Sequence, residues 1–217
     1  FRNEYMEHIR TRRCRAGVCE HLFLAPCENS CPLHMRIPGY LQLLKENRFE
    51  DAAELVWLDN PLPASTGRVC QHPCEDRCRR ATVDDPVNMR EVHRYIADTV
   101  FETFQPNQMV DLLRRNQLAA SGKKVAVVGS GPAGLTAAFY LALLGHGVTV
   151  YESREEPGGM LRYSLPEYRL PKEVLRKEVD IIRGLGVEFL NRQSLGTDRF
   201  LHDLERTHQA VFLAMGT

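Results

Sequence analysis

The tightest constraint on this chain is a loop built on three glycines: Gly129, Ser130, Gly131, Pro132, Ala133 and Gly134. The apolar run from Lys123 to Val128 precedes it and reads as a buried strand. A helical stretch follows, from about Ala133 to Leu144, and Gly145 to Gly147 end it. Val148 to Tyr151 supply a second strand, with Glu152 at its tip. A bare GxGxxG pattern is weak, but strand, glycine loop, helix and acid-terminated strand together form a complete unit. The first glycine permits a tight turn, the second lets backbone approach a pyrophosphate, and the third lets the helix pack closely on the strand. The helix N-terminus turns amide N–H groups toward the phosphates. Glu152 lies eighteen residues beyond Gly134, near the usual offset for an acid that accepts a hydrogen bond from a ribose hydroxyl.

The first half of the chain has a different character. Its seven cysteines, Cys14, Cys19, Cys27, Cys31, Cys70, Cys74 and Cys78, are all the chain has. An odd number argues against a closed disulfide framework. A nucleotide loop without a signal peptide points to a reducing, cytoplasmic setting, where clustered cysteines mean metal or redox chemistry. Helical patterns start at Ile37, with Tyr40, Leu41, Leu43 and Leu44 on one face, and again at about Phe49 to Asp59. Asn60 to Pro63 breaks the pattern, and residues 88–104 form a third helix. Cys74 and Cys78, if helical, share a face, while Pro73 puts Cys70 in a loop. The C-x2-C spacing favoured by structural zinc is absent.

The fold class is therefore mixed: an all-α cysteine domain, then an α/β Rossmann-like ββα domain incomplete at its C-terminus. The boundaries are a tail or linker at 1–13, the cysteine domain at 14–105, a connection at 106–121 that is helical in part, and the dinucleotide domain at 122–217. The start without Met, and an end in a strand running into a glycine turn, are read as marks of a piece of something longer. Lys plus Arg equals Asp plus Glu, 28 each, so no charge excess recommends nucleic acid or an acidic membrane as partner. No apolar run of about eighteen residues is present, so no membrane span is expected.

Several longer strings carry a resemblance. Glu156 to Leu161 resembles the segment that passes under the flavin in glutathione-reductase-like FAD proteins, and Ala210 to Thr217 resembles the strand that later returns to the dinucleotide. That likeness implies FAD, held by residues 129–134 with Glu152, Gly159, Leu161, Arg162, Gly216 and Thr217. Leu161 and Arg162 are expected beside the isoalloxazine. In those proteins a second glycine unit binds NAD(P)H, and here it would follow residue 217.

The whole pattern resembles the glutamate synthase small subunit and its relatives, which include the N-terminal part of dihydropyrimidine dehydrogenase and the large subunit of NADH-dependent ferredoxin:NADP oxidoreductase. The marks are Cys27-Glu-x-x-Cys31-Pro32, Ile37-Pro38, Asn60 to Pro63, Gly67 to Cys70, Cys74-Glu-x-x-Cys78, and Gly158 to Pro171. The resemblance implies two [4Fe–4S] clusters: Cys14, Cys19, Cys27 and Cys78 around one, and Cys31, Cys70, Cys74 and His93 around the other. A lone His on a helix is equally consistent with a core or polar-face residue. The family opens C-x2-C-x4-C, and Cys14 and Cys19 depart from that. Residues 1–20 also resemble the tail of the NADH-oxidising flavoprotein subunit of complex I and of bifurcating hydrogenases, which leaves zinc or a neighbouring cluster open for Cys14 and Cys19. The implied function is an iron–sulfur flavoprotein oxidoreductase that exchanges electrons between NAD(P)H, FAD and the clusters. A larger redox subunit or ferredoxin in a hetero-oligomeric complex is the implied partner. The alternative is an FAD-dependent reductase with a zinc-stabilised docking domain. It needs a redox cysteine pair near the flavin, and no cysteine follows Cys78.

Overall fold

A computed structural model describes residues 24–105 and 107–216, so Cys14, Cys19, Thr217 and the likenesses drawn on residues 1–20 lie outside the described residues. The chain first forms helices: α1 (Pro26–Ser30), α2 (Ile37–Lys45), α3 (Phe49–Asp59), α4 (Pro63–Val69), α5 (Pro73–Asp76), a 3₁₀ turn at Arg79–Thr82, α6 (Met89–Thr103) and α7 (Gln108–Arg114). Strands and helices then alternate: β1 (Lys124–Val128), α8 (Pro132–Leu143), β2 (Gly147–Glu152), α9 (Met160–Tyr163), α10 (Lys172–Gly184), β3 (Glu188–Asn191), α11 (Leu201–Thr207) and β4 (Ala210–Leu213). The strands form one parallel sheet in the order β3-β2-β1-β4. Parallel strands need crossover connections: α8 links β1 to β2, α10 lies between β2 and β3, and α11 lies on the connection that carries the chain from β3 at one edge to β4 beside β1 at the other.

Two sequence readings change at local level. Asn60 to Pro63 ends α3 as expected, but Pro63 also opens α4, because proline suits a first helical position where its missing N–H costs nothing. Cys74 and Cys78 do not share a helix face. The helix α5 stops at Asp76, and Cys78 is extended at φ −67°, ψ 121°.

One core runs through both halves. Trp57, Ile96 and Leu113 from the helical part and Leu135, Phe139, Leu175 and Ile182 from the sheet part are fully buried and belong to the same packed cluster. Polar ties cross the same boundary. The Tyr140 hydroxyl donates to the Leu58 carbonyl at 3.0 Å, and Arg114 donates to the Gly184 carbonyl at 2.7 Å. The strongest tie is Glu178 of α10, completely buried. One of its oxygens accepts from the amides of Ala64 at 2.7 Å and Ser65 at 3.1 Å, and the other meets the Ser65 hydroxyl. These are orphan donors of the first turn of α4, so a carboxylate from the sheet domain caps a helix of the cysteine domain. Among the described residues no helix is long and apolar enough to cross a membrane.

Candidate functional site

The dinucleotide cleft opens where β1 ends. The amide of Gly129 donates to the Tyr151 carbonyl at 2.8 Å, and the amide of Ala214 donates to the Val128 carbonyl at 2.7 Å, so the glycine loop is held between β2 and the chain leaving β4. The three glycines have separate jobs. Gly129 has φ +98°, and a Cβ there would lie 2.3 Å from the Ala214 carbonyl oxygen. A Cβ on Gly134 would lie 1.9 Å from the Gly129 carbonyl oxygen. A Cβ on Gly131 would meet no protein atom within 4 Å. That position faces the open cleft, as the pyrophosphate role of the middle glycine requires. Gly158 docks on the loop, its amide donating to the Ser130 carbonyl at 3.0 Å. Gly159, at φ +51°, sits so close to Gly131 that a Cβ would come within 2.7 Å of the Gly131 Cα.

Glu152 is buried at the tip of β2. One oxygen accepts from the Ser130 amide at 2.9 Å and from the Ser130 hydroxyl; the other accepts from the Arg154 amide at 2.7 Å and the Ser153 hydroxyl at 3.2 Å. Burial pushes its pKa up, but these hydrogen bonds outweigh it and hold the carboxyl below its ordinary value. All four lone-pair directions are occupied. Two of the four donors are the hydroxyls of Ser130 and Ser153.

The cleft has a volume of about 580 Å³ and is walled by residues 128–133, Glu152 to Arg154, Gly159, Met160, Tyr163, Ser164, Gln193 to Leu195 and Ala214 to Gly216. Gly134 stands behind the wall as a packing residue. Leu161 and Arg162 have side chains elsewhere. Leu161 packs on the core, and Arg162 bonds Glu156 at 2.5 Å and the Pro157 carbonyl at 3.0 Å. The helical period explains this, since Met160 and Tyr163 lie three apart and share the face that Leu161 and Arg162 turn from. Met160, Tyr163 and Arg154, whose guanidinium lies 5.4 Å from the Tyr163 ring centre, are cleft residues the sequence reading did not single out. The string from Gly158 to Pro171 contained two of them without separating wall from core.

The five described cysteines are free thiols at one end of the helical domain, where α1 packs on α5. Charge on Cys78 acts on Cys27, whereas Cys74 feels Cys31 and Cys70. Burial first, then Cys31, Glu75 and Cys70, push the Cys74 thiol up to about 11. Among the described residues no three His, Cys, Asp or Glu side chains converge closely enough to hold a metal ion. Thiol deprotonation and convergence are driven by the metal's own bonds. The donor chemistry suits iron–sulfur ligation: free thiols, no competing disulfide among them, and one prepared imidazole. His93 is buried, and its Nε2 has no partner while the ring bonds the Met89 backbone. Burial lowers its pKa to about 4, so the ring is neutral at pH 7 with a free lone pair, the form that binds metal.

Fold and cleft together define a class: a helical iron–sulfur domain joined to a parallel-sheet, Rossmann-like dinucleotide domain. Residues 3–104 match the family model described as dihydropyrimidine dehydrogenase domain II, 4Fe-4S cluster. Residues 127–187 match the model described as NAD(P)-binding Rossmann-like domain. The chain is homologous to oxidoreductase subunits of the group its motifs resemble. It is 39% identical over 220 residues, all of this chain and 32% of the other, to the NADPH-Fe(3+) oxidoreductase subunit beta of Geobacter sulfurreducens. It is 37% identical over 219 residues to the NADP(+)-dependent formate dehydrogenase subunit beta of Moorella thermoacetica, covering 93% of this chain and 31% of that one. It is 37% identical over 218 residues to the glutamate synthase [NADPH] small chain of Mycobacterium tuberculosis, covering all of this chain and 42% of that one. The chain thus spans about a third to two fifths of the length of these relatives.

Proposed function

We propose that this chain is the electron-passing part of an NAD(P)H-linked iron–sulfur flavoprotein, with FAD in the cleft and two [4Fe–4S] clusters on the cysteine domain. The observation that carries the reading is the pairing of two prepared sites on one shared core. One is a glycine loop in which, of Gly129, Gly131 and Gly134, Gly131 alone has open space where a Cβ would stand. The other is a set of five free thiols in the helical domain, Cys27, Cys31, Cys70, Cys74 and Cys78. FAD, when bound, exchanges a hydride on one side and single electrons on the other, which is the chemistry needed between a nicotinamide and iron–sulfur clusters.

The chain's own residues bind and orient. Gly129, Ser130, Gly131, Pro132 and Ala133, backed by Gly134, present the helix N-terminus to the pyrophosphate, and Glu152 takes the ribose. Gly159 and Gly216 close the two sides of the cleft, with Thr217 following. Leu161 and Arg162 contribute backbone rather than side chain. Cys14 and Cys19 complete the set of Cys27 and Cys78, or hold zinc; His93 completes the other through Nε2. No side chain is required to move a proton. NAD(P)H, a larger redox subunit or ferredoxin, and the cytoplasm complete the proposal, and the relatives' names as subunits beta and small chain support a hetero-oligomer.

Iron, zinc and acid-labile sulfide on anaerobically purified protein, with a visible spectrum, test this. About eight iron and eight sulfide per chain with flavin bands is the expected result. About four iron plus one zinc would move Cys14 and Cys19 to a separate zinc site. Zinc without sulfide would leave a flavoprotein with a structural metal domain and sink the electron-passing role.

A further inference from the structure

Tyr40 lies on α2, at the turn after Arg36, and is 1% exposed. Its hydroxyl has no hydrogen-bond partner. A buried O–H without an acceptor is costly, and such groups are rare enough that each asks for a cause. The charged groups nearest in effect are Cys74, then Cys27, Cys31 and Glu75. Glu75 is already engaged, one carboxylate oxygen accepting the Arg90 amide at 3.0 Å and the other lying 3.2 Å from His72 Nδ1. The same packed core holds Tyr40 and Cys74, with Cys27, Cys31 and Cys78 against its edge. The thiols of Cys74, Cys27 and Cys31 are the neighbouring groups that carry no such partners. A tyrosine hydroxyl keeps its proton at neutral pH and is a donor.

From this geometry we infer that the Tyr40 hydroxyl donates a hydrogen bond to a sulfur of the cluster held by Cys31, Cys70 and Cys74, and so raises that cluster's reduction potential. The inference rests on the cluster reading above. Reduction adds negative charge to the cluster, and a fixed donor to sulfur stabilises the reduced form more than the oxidised form. Neither a ligand nor a proton carrier, Tyr40 is a positioning and tuning residue, reading and biasing one of two otherwise similar centres.

The test is Tyr40→Phe in the full chain purified anaerobically, with iron and sulfide measured beside an EPR-monitored redox titration. The ring is retained, so packing is kept. The expected result is unchanged iron, and a reduction equilibrium constant for one of the two clusters lower by on the order of tenfold, which is about 59 mV for one electron. A proton-coupled hyperfine signal from that cluster should also exchange in D₂O in the parent chain and be absent from Tyr40→Phe. Full iron with equal potentials in both proteins overturns the proposal, as does a rise in thermal stability of Tyr40→Phe without any change in potential, since the hydroxyl would then be a plain orphan. A variant that cannot assemble the cluster also overturns it, because the hydroxyl would be structural. A parent chain without iron and sulfide is a different failure, of the cluster reading itself, and takes this inference down with it.

Discussion

The glycines of the cleft separate two kinds of necessity that a motif runs together. Gly134 is required by the protein alone, because a Cβ there would sit 1.9 Å from the Gly129 carbonyl oxygen. Gly131 is required by nothing in the protein, because a Cβ there meets open space, and its φ of −67° suits any residue. The variants should therefore part. Gly134→Ala is expected to lower thermal stability, with a loss of roughly 2–4 kcal/mol from overpacking and backbone shift. Gly131→Ala is expected to keep its melting temperature in the cofactor-free state within a degree or two and to lose dinucleotide affinity by about tenfold or more, at least ~1.4 kcal/mol. Calorimetry and a flavin titration on both proteins decide this. A Gly131→Ala chain that binds as tightly as its parent would mean that the ligand does not pass over the loop. The sequence could assign Gly131 to ligand because the spacing of the glycines encodes their roles. It could not show that Glu152 is already surrounded by Ser130, Ser153 and Arg154, since two of those donors are backbone amides or neighbours whose direction only the turn decides.

At the scale of elements, periodicity was legible where a helix is long enough to repeat its pattern. The stretch Phe49–Asp59 and the β1–α8–β2 unit stand close to where their apolar spacing puts them. Short elements were not legible. In α5 a single turn follows Pro73, too brief to carry Cys78 onto the face of Cys74. The helix α10 had a readable stripe in Leu175, Val179 and Ile182, but Glu178 lies inside its buried face, where a charged residue contradicts the pattern unless its partner is known. The partner is α4, distant in sequence. Burial, tempered by the hydrogen bonds from Ser65 and Ala64, raises the Glu178 carboxyl to about 7. An acid whose folded value lies above its unfolded one binds its proton more tightly when folded. Its contribution is complete below about pH 4.5 and falls as pH rises toward 7, by roughly 3 kcal/mol in all, then levels off. Gln at 178 can accept from the same two amides and donate to Ser65 without ionising. The stability of Glu178→Gln relative to the parent should therefore climb between pH 5 and 7 and be flat above. Chemical denaturation at a series of pH values reads that difference directly, and a pH-independent difference would place the carboxyl's titration elsewhere. Glu178→Ala instead leaves two amides and a hydroxyl buried without acceptors, at a cost of roughly 3 kcal/mol or more.

For the whole molecule the question is whether two matched families make two folding units. Sequence drew the boundary at 106–121 from a change in pattern, and the change of architecture does fall there, with α7 inside it and β1 just beyond. The core does not respect that line. One cluster of buried residues reaches from Met35 in the helical part to Val187 in the sheet part, α10 packs on both α4 and α7, and the Glu178 cap makes the segment leading into Cys70 depend on a helix of the sheet domain. Separating the halves would expose this shared apolar surface at roughly 25 cal/mol per Å² and part Glu178 from the α4 amides it caps. Neither half then has a low-energy state of its own, and unfolding should be cooperative across the boundary. Differential scanning calorimetry of the chain, with bleaching of the cluster absorbance followed in parallel, should give one transition, a calorimetric to van't Hoff enthalpy ratio near one, and bleaching coincident with it. On the proposed reading, in which residues of the sheet domain hold the FAD, excess FAD should move both signals together, by about 2.7 kcal/mol at one hundred times its dissociation constant. Two transitions, with the flavin shifting only the one that belongs to residues 122–217, would show that the clusters and the cleft are carried by independent bodies. The Glu178 contact would then be a docking bond between domains rather than part of one core.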